Sequence, residues 1–275
     1  MSAQLIRGAV LGSPISHSLS PVLHNKAFEL LGVAGRYEAI EVQSGGLTAF
    51  LRERGCEFDY LSLTMPLKEE VLEISEALNI EIDELSSRIQ SVNTLIRTSK
   101  GWSATSTDGS GFVKALANGG YDHFDSVLVL GAGGTARAVA GALDAIADNV
   151  AIMGRSVRRN AAIASCFTKL TPEFLPWDDQ IDLRSFGLIV NTTPSGAADL
   201  VADNIPSKVD GLLFDVLYKP WPTLIARRWS DSGGKVIGGL ELLLYQGIDQ
   251  INLVEPLGLK LIDEQLRLSL INTLR

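Results

Sequence analysis

Two residues in this chain could pass a proton to or from an alcohol. Lys68 follows the break after an apolar run at 60–64, and Asp108 sits in a polar turn. Proton transfer needs donor and acceptor within hydrogen-bond reach, so the pair matters only if the fold brings both to one cleft. Read singly, each is also an ordinary surface charge. Ser16 and Ser18 offer two hydroxyls suited to a carboxylate, and either can equally cap a turn. Asn93 can bind a hydroxyl or order its own loop. His17 has the titration range of a base but lies between the two serines, so a structural hydrogen bond is expected of it. His24 and His123 lack an Asp, Cys or His cluster, and no Ser-His-Asp order stands out. No metal site is expected.

A second chemistry is carried by backbone. Val127-Leu128-Val129-Leu130 enters Gly131-Ala132-Gly133-Gly134-Thr135-Ala136, an alanine-rich segment follows, and a second apolar run ends at Gly154-Arg155. Strand, glycine turn, helix and strand within about thirty residues are the context a dinucleotide fingerprint requires. Gly131 suits the tight turn, Gly133 lets a pyrophosphate approach the backbone, and Ala136 lets helix and strand pack closely. The N–H groups at the helix start then face the phosphates. The end of the second strand selects the cofactor. An NAD site normally carries Asp or Glu there, whereas this chain reads Gly154-Arg155-Ser156-Val157-Arg158-Arg159. A guanidinium fork suits a 2′-phosphate, so NADP(H) is the expected cofactor.

The elements that must position these residues alternate between strand and helix. Strands are expected at 5–11, 37–42, 60–64, 92–98 and 102–106, the last two as an antiparallel pair. Helices are expected at 21–31, 47–54 and 67–77, with Ser20 as N-cap and Pro21 as first helical residue. A connecting helix at 112–118 leads to the glycine-turn strand. Beyond it come a helix at 156–165, strands at 186–191, 211–216 and 235–237, and helices at 223–229, 240–250 and 261–274. Residues 252–258 separate the last two helices. The fold class is α/β in two domains. Residues 1–107 and 240–275 form a mixed-sheet domain, and 108–239 form a Rossmann-like dinucleotide domain, the C-terminal helices returning to the first.

Length and composition agree with this. The chain's 275 residues suffice for two domains, and 46% hydrophobic with 20% charged residues is an ordinary globular profile. A net charge of −8 argues against nucleic-acid or membrane partners. Cys56 and Cys166 are far apart with no metal spacing, as in a reduced, cytoplasmic protein. There is no signal-peptide pattern and no run of the roughly 20 apolar residues a membrane span needs.

Eight ordered motifs together resemble the shikimate dehydrogenase family over almost the whole chain. They are Gly12-Ser13-Pro14-Ile15-Ser16-His17-Ser18-Leu19-Ser20-Pro21 with His24-Asn25, Leu63-Thr64-Met65-Pro66-Leu67-Lys68, Val92-Asn93-Thr94 and Thr107-Asp108-Gly109. The glycine turn through Ala138 follows, then Asn191-Thr192-Thr193-Pro194-Ser195-Gly196, Asp215-Val216-Leu217-Tyr218-Lys219-Pro220, and Gly238 to Gln246. The resemblance implies NADPH-dependent reduction of 3-dehydroshikimate to shikimate, on the route to chorismate and the aromatic amino acids. It implies a small-molecule substrate and a monomer or homodimer.

By the same resemblance Ser16 and Ser18 hold the substrate carboxylate with Tyr218 nearby. Thr64, Asn93, Asp108 and Gln246 contact ring hydroxyls, and Lys68 and Asp108 form the catalytic pair. Arg155 and Arg159 take the 2′-phosphate, and Gly131, Gly133, Gly134, Thr135, Ala136, Ser156, Thr192 and Gly239 complete the cofactor site. Three positions depart from the common pattern. Ser62, Ser106 and Gly154 each stand where Asn is frequent, implying a shortened or water-replaced substrate contact, altered loop order and weaker adenine packing, respectively. The competing readings are an NAD-linked quinate/shikimate enzyme, an enzyme of a related cyclohexene acid, a non-catalytic metabolite sensor and a structural module.

Overall fold

The computed structural model describes residues 5–177, 181–254 and 264–274. Over these residues the chain divides into two compact units, Met1–Thr107 with Leu243–Arg275, and Asp108–Leu242. The second crossing falls at Leu242/Leu243 rather than at 239/240, within the helix Gly239–Asn252.

The first unit holds six strands, β1 (Ile6–Gly12), β2 (Gly35–Glu41), β3 (Tyr60–Leu63), β4 (Ile80–Ile82), β5 (Thr94–Thr98) and β6 (Gly101–Thr105), in the order β2-β1-β3-β5-β6-β4. β1 is parallel to β2 and β3, β5 is antiparallel to β3 and β6, and β4 is parallel to β6. The carboxyl ends of β1, β3 and β6 therefore share one end of the sheet with the amino end of β5. That mixed direction assembles the first site. Leu11, Leu61, Leu63 and Leu95 of the sheet pack with Leu47, Phe50, Leu67 and Val71 of the helices Leu47–Glu53 and Leu67–Ile74. Each such buried side chain contributes about 1.5–3 kcal/mol.

Local sequence explains most element ends. The first helix spans Ser20–Leu31 with Leu19 at the N-cap, so Ser20 is not the cap and Pro21 is one position further in. The Ser18 hydroxyl instead accepts from the Ser20 N–H at 3.3 Å. β4 and the helix Glu84–Ile89, capped by the Asp83 carboxylate accepting from Ser86 N–H, were not expected from the sequence. The final helix is Glu264–Leu274; the expected start at 261 and part of the expected 252–258 break lie outside the described residues.

The second unit holds β7 (Phe124–Leu130), β8 (Ala147–Met153), β9 (Glu173–Leu175), β10 (Leu188–Asn191), β11 (Leu212–Asp215) and β12 (Lys235–Gly238). Every pairing is parallel and the order is β12-β11-β10-β7-β8-β9. In chain order this is the 3-2-1-4-5-6 doubly wound sheet, whose ligand crevice lies where the winding reverses, between β7 and β10. Val127 to Leu130 are fully buried, as a parallel strand covered on both faces must be. The expected helix at 156–165 is a 3-10 turn, Val157–Arg159, followed by a short α-helix, Asn160–Ala164.

Candidate active site

At the shared end of the first sheet, four connections deliver polar side chains. After β1, Ser18 N–H donates to Ile15 C=O at 3.0 Å, closing a turn that exposes Ser16 and half-buries Ser18. His17, inside this turn, is exposed and makes no side-chain hydrogen bond among the described residues, so the structural bond expected of it is not formed. After β3, Thr64 N–H donates to Leu11 C=O at 2.9 Å, and Lys68 falls in the first turn of the helix Leu67–Ile74. Two contacts fix that helix. Val92 N–H donates to Lys68 C=O at 2.9 Å, and the Glu70 carboxylate accepts from Gly45 N–H at 2.8 Å and Leu47 N–H at 2.9 Å. Lys68 is thereby tied to the strand lead-in that carries Asn93.

Asn93 is 2% exposed and saturated with partners. Its Oδ1 accepts from Thr107 N–H at 2.9 Å and from the Thr94 hydroxyl at 2.7 Å. Its Nδ2 donates to Thr107 Oγ1 at 3.0 Å and to Gln246 Oε1 at 3.2 Å. Gln246, 153 residues away in sequence, donates from Nε2 to Leu243 C=O at 2.9 Å. The structure thus joins two of the sequence-predicted residues directly, and adds Thr107 between them.

Beneath lies a polar group that the sequence reading did not anticipate. His24 is fully buried, stacked on Tyr37 with ring centroids 4.0 Å apart, and its Nδ1 is 2.7 Å from the Tyr60 hydroxyl. Burial lowers the His24 pKa to about 3, with Gln250 partly opposing, although no hydrogen bond reaches Nε2 among the described residues. Burial also raises Tyr37 and Tyr60, so all three rings are neutral at pH 7. Tyr37 donates to Ser62 Oγ at 2.5 Å, and Ser62 donates to Gln250 Oε1 at 2.8 Å. Ser62 is 4% exposed, and its hydroxyl is engaged in these core bonds. The neighbouring Asn25 pairs with the backbone of β2, donating to Tyr37 C=O at 2.8 Å and accepting from Tyr37 N–H at 2.9 Å.

The second unit supplies backbone donors. Gly131 has φ +108°, and a Cβ there would lie 2.5 Å from Thr192 Oγ1. Only glycine fits both demands. Gly133, in extended conformation, stands at the N-cap of the helix Gly134–Leu143 and, having no side chain, leaves the first turn's N–H groups uncapped from that position. Ala136 is fully buried at the helix–strand contact. Arg159 donates to Ala132 C=O at 3.3 Å, holding a guanidinium beside the turn, and Arg155 is exposed at the end of β8 with no acid adjacent in sequence. N–H groups at a helix start, a close-approach glycine and two guanidinium groups suit a dinucleotide 2′-phosphate.

Other predicted residues have structural duties as well. Ser156 Oγ accepts from Arg158 N–H at 3.3 Å, opening the 3-10 turn. Thr192 donates to Leu130 C=O at 2.7 Å, bridging the ends of β7 and β10. Gly239 is buried, and a Cβ there would collide with the Val216 carbonyl. Asp108 is the first residue of the helix Asp108–Asn118 and is buried, not in an open turn. Tyr218, half-buried after β11, follows a loop anchored by Asp215. That carboxylate accepts from Leu217 N–H at 3.1 Å and the Thr223 hydroxyl at 2.5 Å, and burial raises its pKa. Ser106 is buried, its hydroxyl without a partner among the described residues, and a Cβ on Gly154 would meet only Ala132 at 3.7 Å. Contrary to the sequence reading, His123 does have acidic neighbours. Parallel pairing of β7 and β8 sets it beside Asp125 and Asp148, all exposed, at the strand ends opposite the glycine turn.

Known proteins share both the sequence and the fold. Residues 10–95 match the model of the shikimate dehydrogenase substrate binding domain. The NADP-dependent shikimate dehydrogenase of one Thermus thermophilus strain is 36% identical over 88% of this chain and 90% of its own. The chain belongs to the shikimate dehydrogenase family. The shikimate dehydrogenase of Mycobacterium tuberculosis shares its fold with a TM-score of 0.85 at 31% identity, covering 97% of this chain and 99% of that one. The shikimate dehydrogenase of a second Thermus thermophilus strain, solved with NADP(H) and shikimate, superposes with a TM-score of 0.81 at 34% identity, covering 97% and 98%.

Proposed function

We propose that this chain interconverts shikimate and 3-dehydroshikimate with NADP(H). One observation carries the assignment of the site. Ser16, Ser18, Thr64, Lys68 and Asn93 arise at the same end of the first unit's sheet, where Gln246 bonds to Asn93, in a member of the shikimate dehydrogenase family. Ser16 and Ser18 take the ring carboxylate, supported by Tyr218. Thr64, Asn93, Asp108 and Gln246 take the hydroxyls.

The dinucleotide, when bound, supplies the hydride acceptor in oxidation and the donor in reduction. It is held by the N–H groups from Gly133 to Ala136, with Gly131 and Thr192 shaping the crevice and Ser156 beside the phosphate. Arg155 and Arg159 take the 2′-phosphate, and Gly239 packs the adjoining loop. Lys68 removes the proton from the reacting C3 hydroxyl as shikimate is oxidised and returns it in reduction. Its ammonium also stabilises negative charge developing on that oxygen. Asp108 orients the same hydroxyl.

Initial rates on the purified chain, with shikimate and quinate each paired with NADP and NAD, test this. Turnover with shikimate and NADP well above the other three pairs is the expected result. Preference for quinate with NAD, or no turnover with any pair, would overturn it.

A further inference from the structure

Gln250 is 1% exposed and lies one helical turn beyond Gln246 on the same face of Gly239–Asn252. It belongs to no substrate or cofactor contact assigned above. A buried amide with every bond made is costly to leave half-satisfied, so its partners report what it is for.

The direction of each bond in this group is determined by chemistry. The Asn93 backbone C=O can only accept, so the group 3.1 Å from it must be Gln250 Nε2 rather than Oε1. The second Nε2 proton then goes to Thr94 Oγ1 at 2.9 Å. With that oxygen accepting, the Thr94 hydroxyl proton is aimed at Asn93 Oδ1, 2.7 Å away. On the other side Ser62, itself accepting from Tyr37, gives its only proton to Gln250 Oε1 at 2.8 Å. The run Tyr37, Ser62, Gln250, Thr94, Asn93 is therefore a one-way chain of donors. Its end product is an Asn93 amide with Oδ1 turned inward and Nδ2 turned toward Gln246. Thr107 N–H holds Oδ1 from the opposite side.

We propose that Gln250 is a positioning residue, which acts through Thr94 to fix Asn93 as a hydrogen-bond donor toward the substrate ring. The inference deepens the shikimate dehydrogenase reading and rests on it. Gln250 touches no reacting atom; it removes the freedom of Asn93 to flip or of the Thr94 hydroxyl to rotate away.

The test uses Gln250→Leu, Thr94→Val, the double variant and Thr94→Ser. Loss of one buried bond of this kind predicts a KM for shikimate raised about tenfold in either single variant. The KM for NADP and kcat should stay near wild type. Thr94→Ser keeps the hydroxyl and restores the shikimate KM. Because both residues lie on one chain, the double variant should be no worse than either single one. An unchanged shikimate KM in folded Gln250→Leu, additive losses in the double variant, or equal loss with NADP would overturn the proposal. Should Gln250→Leu fail to fold, the Thr94→Val and Thr94→Ser pair decides alone. A readout independent of turnover is the Asn93 side-chain NH2 resonance pair, assigned by its absence in Asn93→Asp. Its solvent exchange should quicken about tenfold or more in Thr94→Val; unchanged exchange would overturn the proposal. Absence of wild-type turnover would instead overturn the functional reading, leaving this exchange measurement to judge the positioning role.

Discussion

The two units make their sites from different materials. In the second, the groups offered to a ligand are backbone N–H groups from one contiguous stretch, Gly133 to Ala136, fixed by a left-handed glycine and a buried alanine. In the first they are side chains from β1, β3, β5 and β6 connections and from a helix more than a hundred residues later, fixed by buried hydrogen bonds. Backbone sites tolerate change in most side chains and fail when a glycine is lost. Side-chain sites survive small backbone adjustments and fail when one polar partner is removed.

The sharpest test of that contrast is Lys68→Ala. It should lower kcat by about a thousandfold, the scale of a lost general acid–base group, with the KM for NADP unmoved. Equal loss of cofactor affinity with unchanged turnover would count against the role given to Lys68.

A second test asks what burial of His24 costs in acid. Its folded pKa is near 3 and its unfolded value 6.5. Below pH 6.5 the unfolded chain takes up a proton that the folded chain refuses, so stability present above 6.5 is lost as pH falls toward 3. The loss is about 1.4 kcal/mol per pH unit over that window. Urea midpoints at pH 7 and pH 5 should diverge in the wild type and draw together in His24→Gln; identical divergence in both would refute this.

In the second unit, Gly131→Ala combines a positive φ with the Thr192 hydroxyl and should destabilise by about 1–3 kcal/mol while weakening NADP binding. Thermal melts with and without NADP read both. The smallest effect is expected at the exposed Arg155. Replacement by Leu should raise the KM for NADP about tenfold and leave NAD nearly unchanged, as loss of one charge-assisted contact predicts. A parallel rise for NAD would move Arg155 away from the 2′-phosphate.

This contrast in materials also governs what could be read from the sequence. The β7, glycine-turn, helix, β8 stretch was legible because its apolar runs and its chemistry are contiguous. Lys68 and Asn93 could be singled out but not told from an ordinary surface charge or loop residue, and Gln246 was legible only by family motif, since no local pattern says that Asn93 meets Gln246. The His24, Tyr37 and Tyr60 stack left no local trace, because parallel pairing of β1 with β2 and β3 brings those rings together. A signal for Gln250 did exist, as a second glutamine one helical turn after Gln246. β4 and β9 were missed because three residues show no period. The break at Asn160 was missed because Ser156 and Arg159 start separate turns in a sequence that is helix-compatible throughout.

The saturation of Asn93 bears on how the enzyme tells one ring from another. Both of its Nδ2 protons already have acceptors in Thr107 and Gln246. Under the proposed function, a ring hydroxyl arriving there exchanges one partner for another, and a deoxy analogue leaves no buried amide stranded. Strong rejection of analogues arises where a site is left with unpaired polar groups. Under the proposed function, selectivity at this position is consequently gentle.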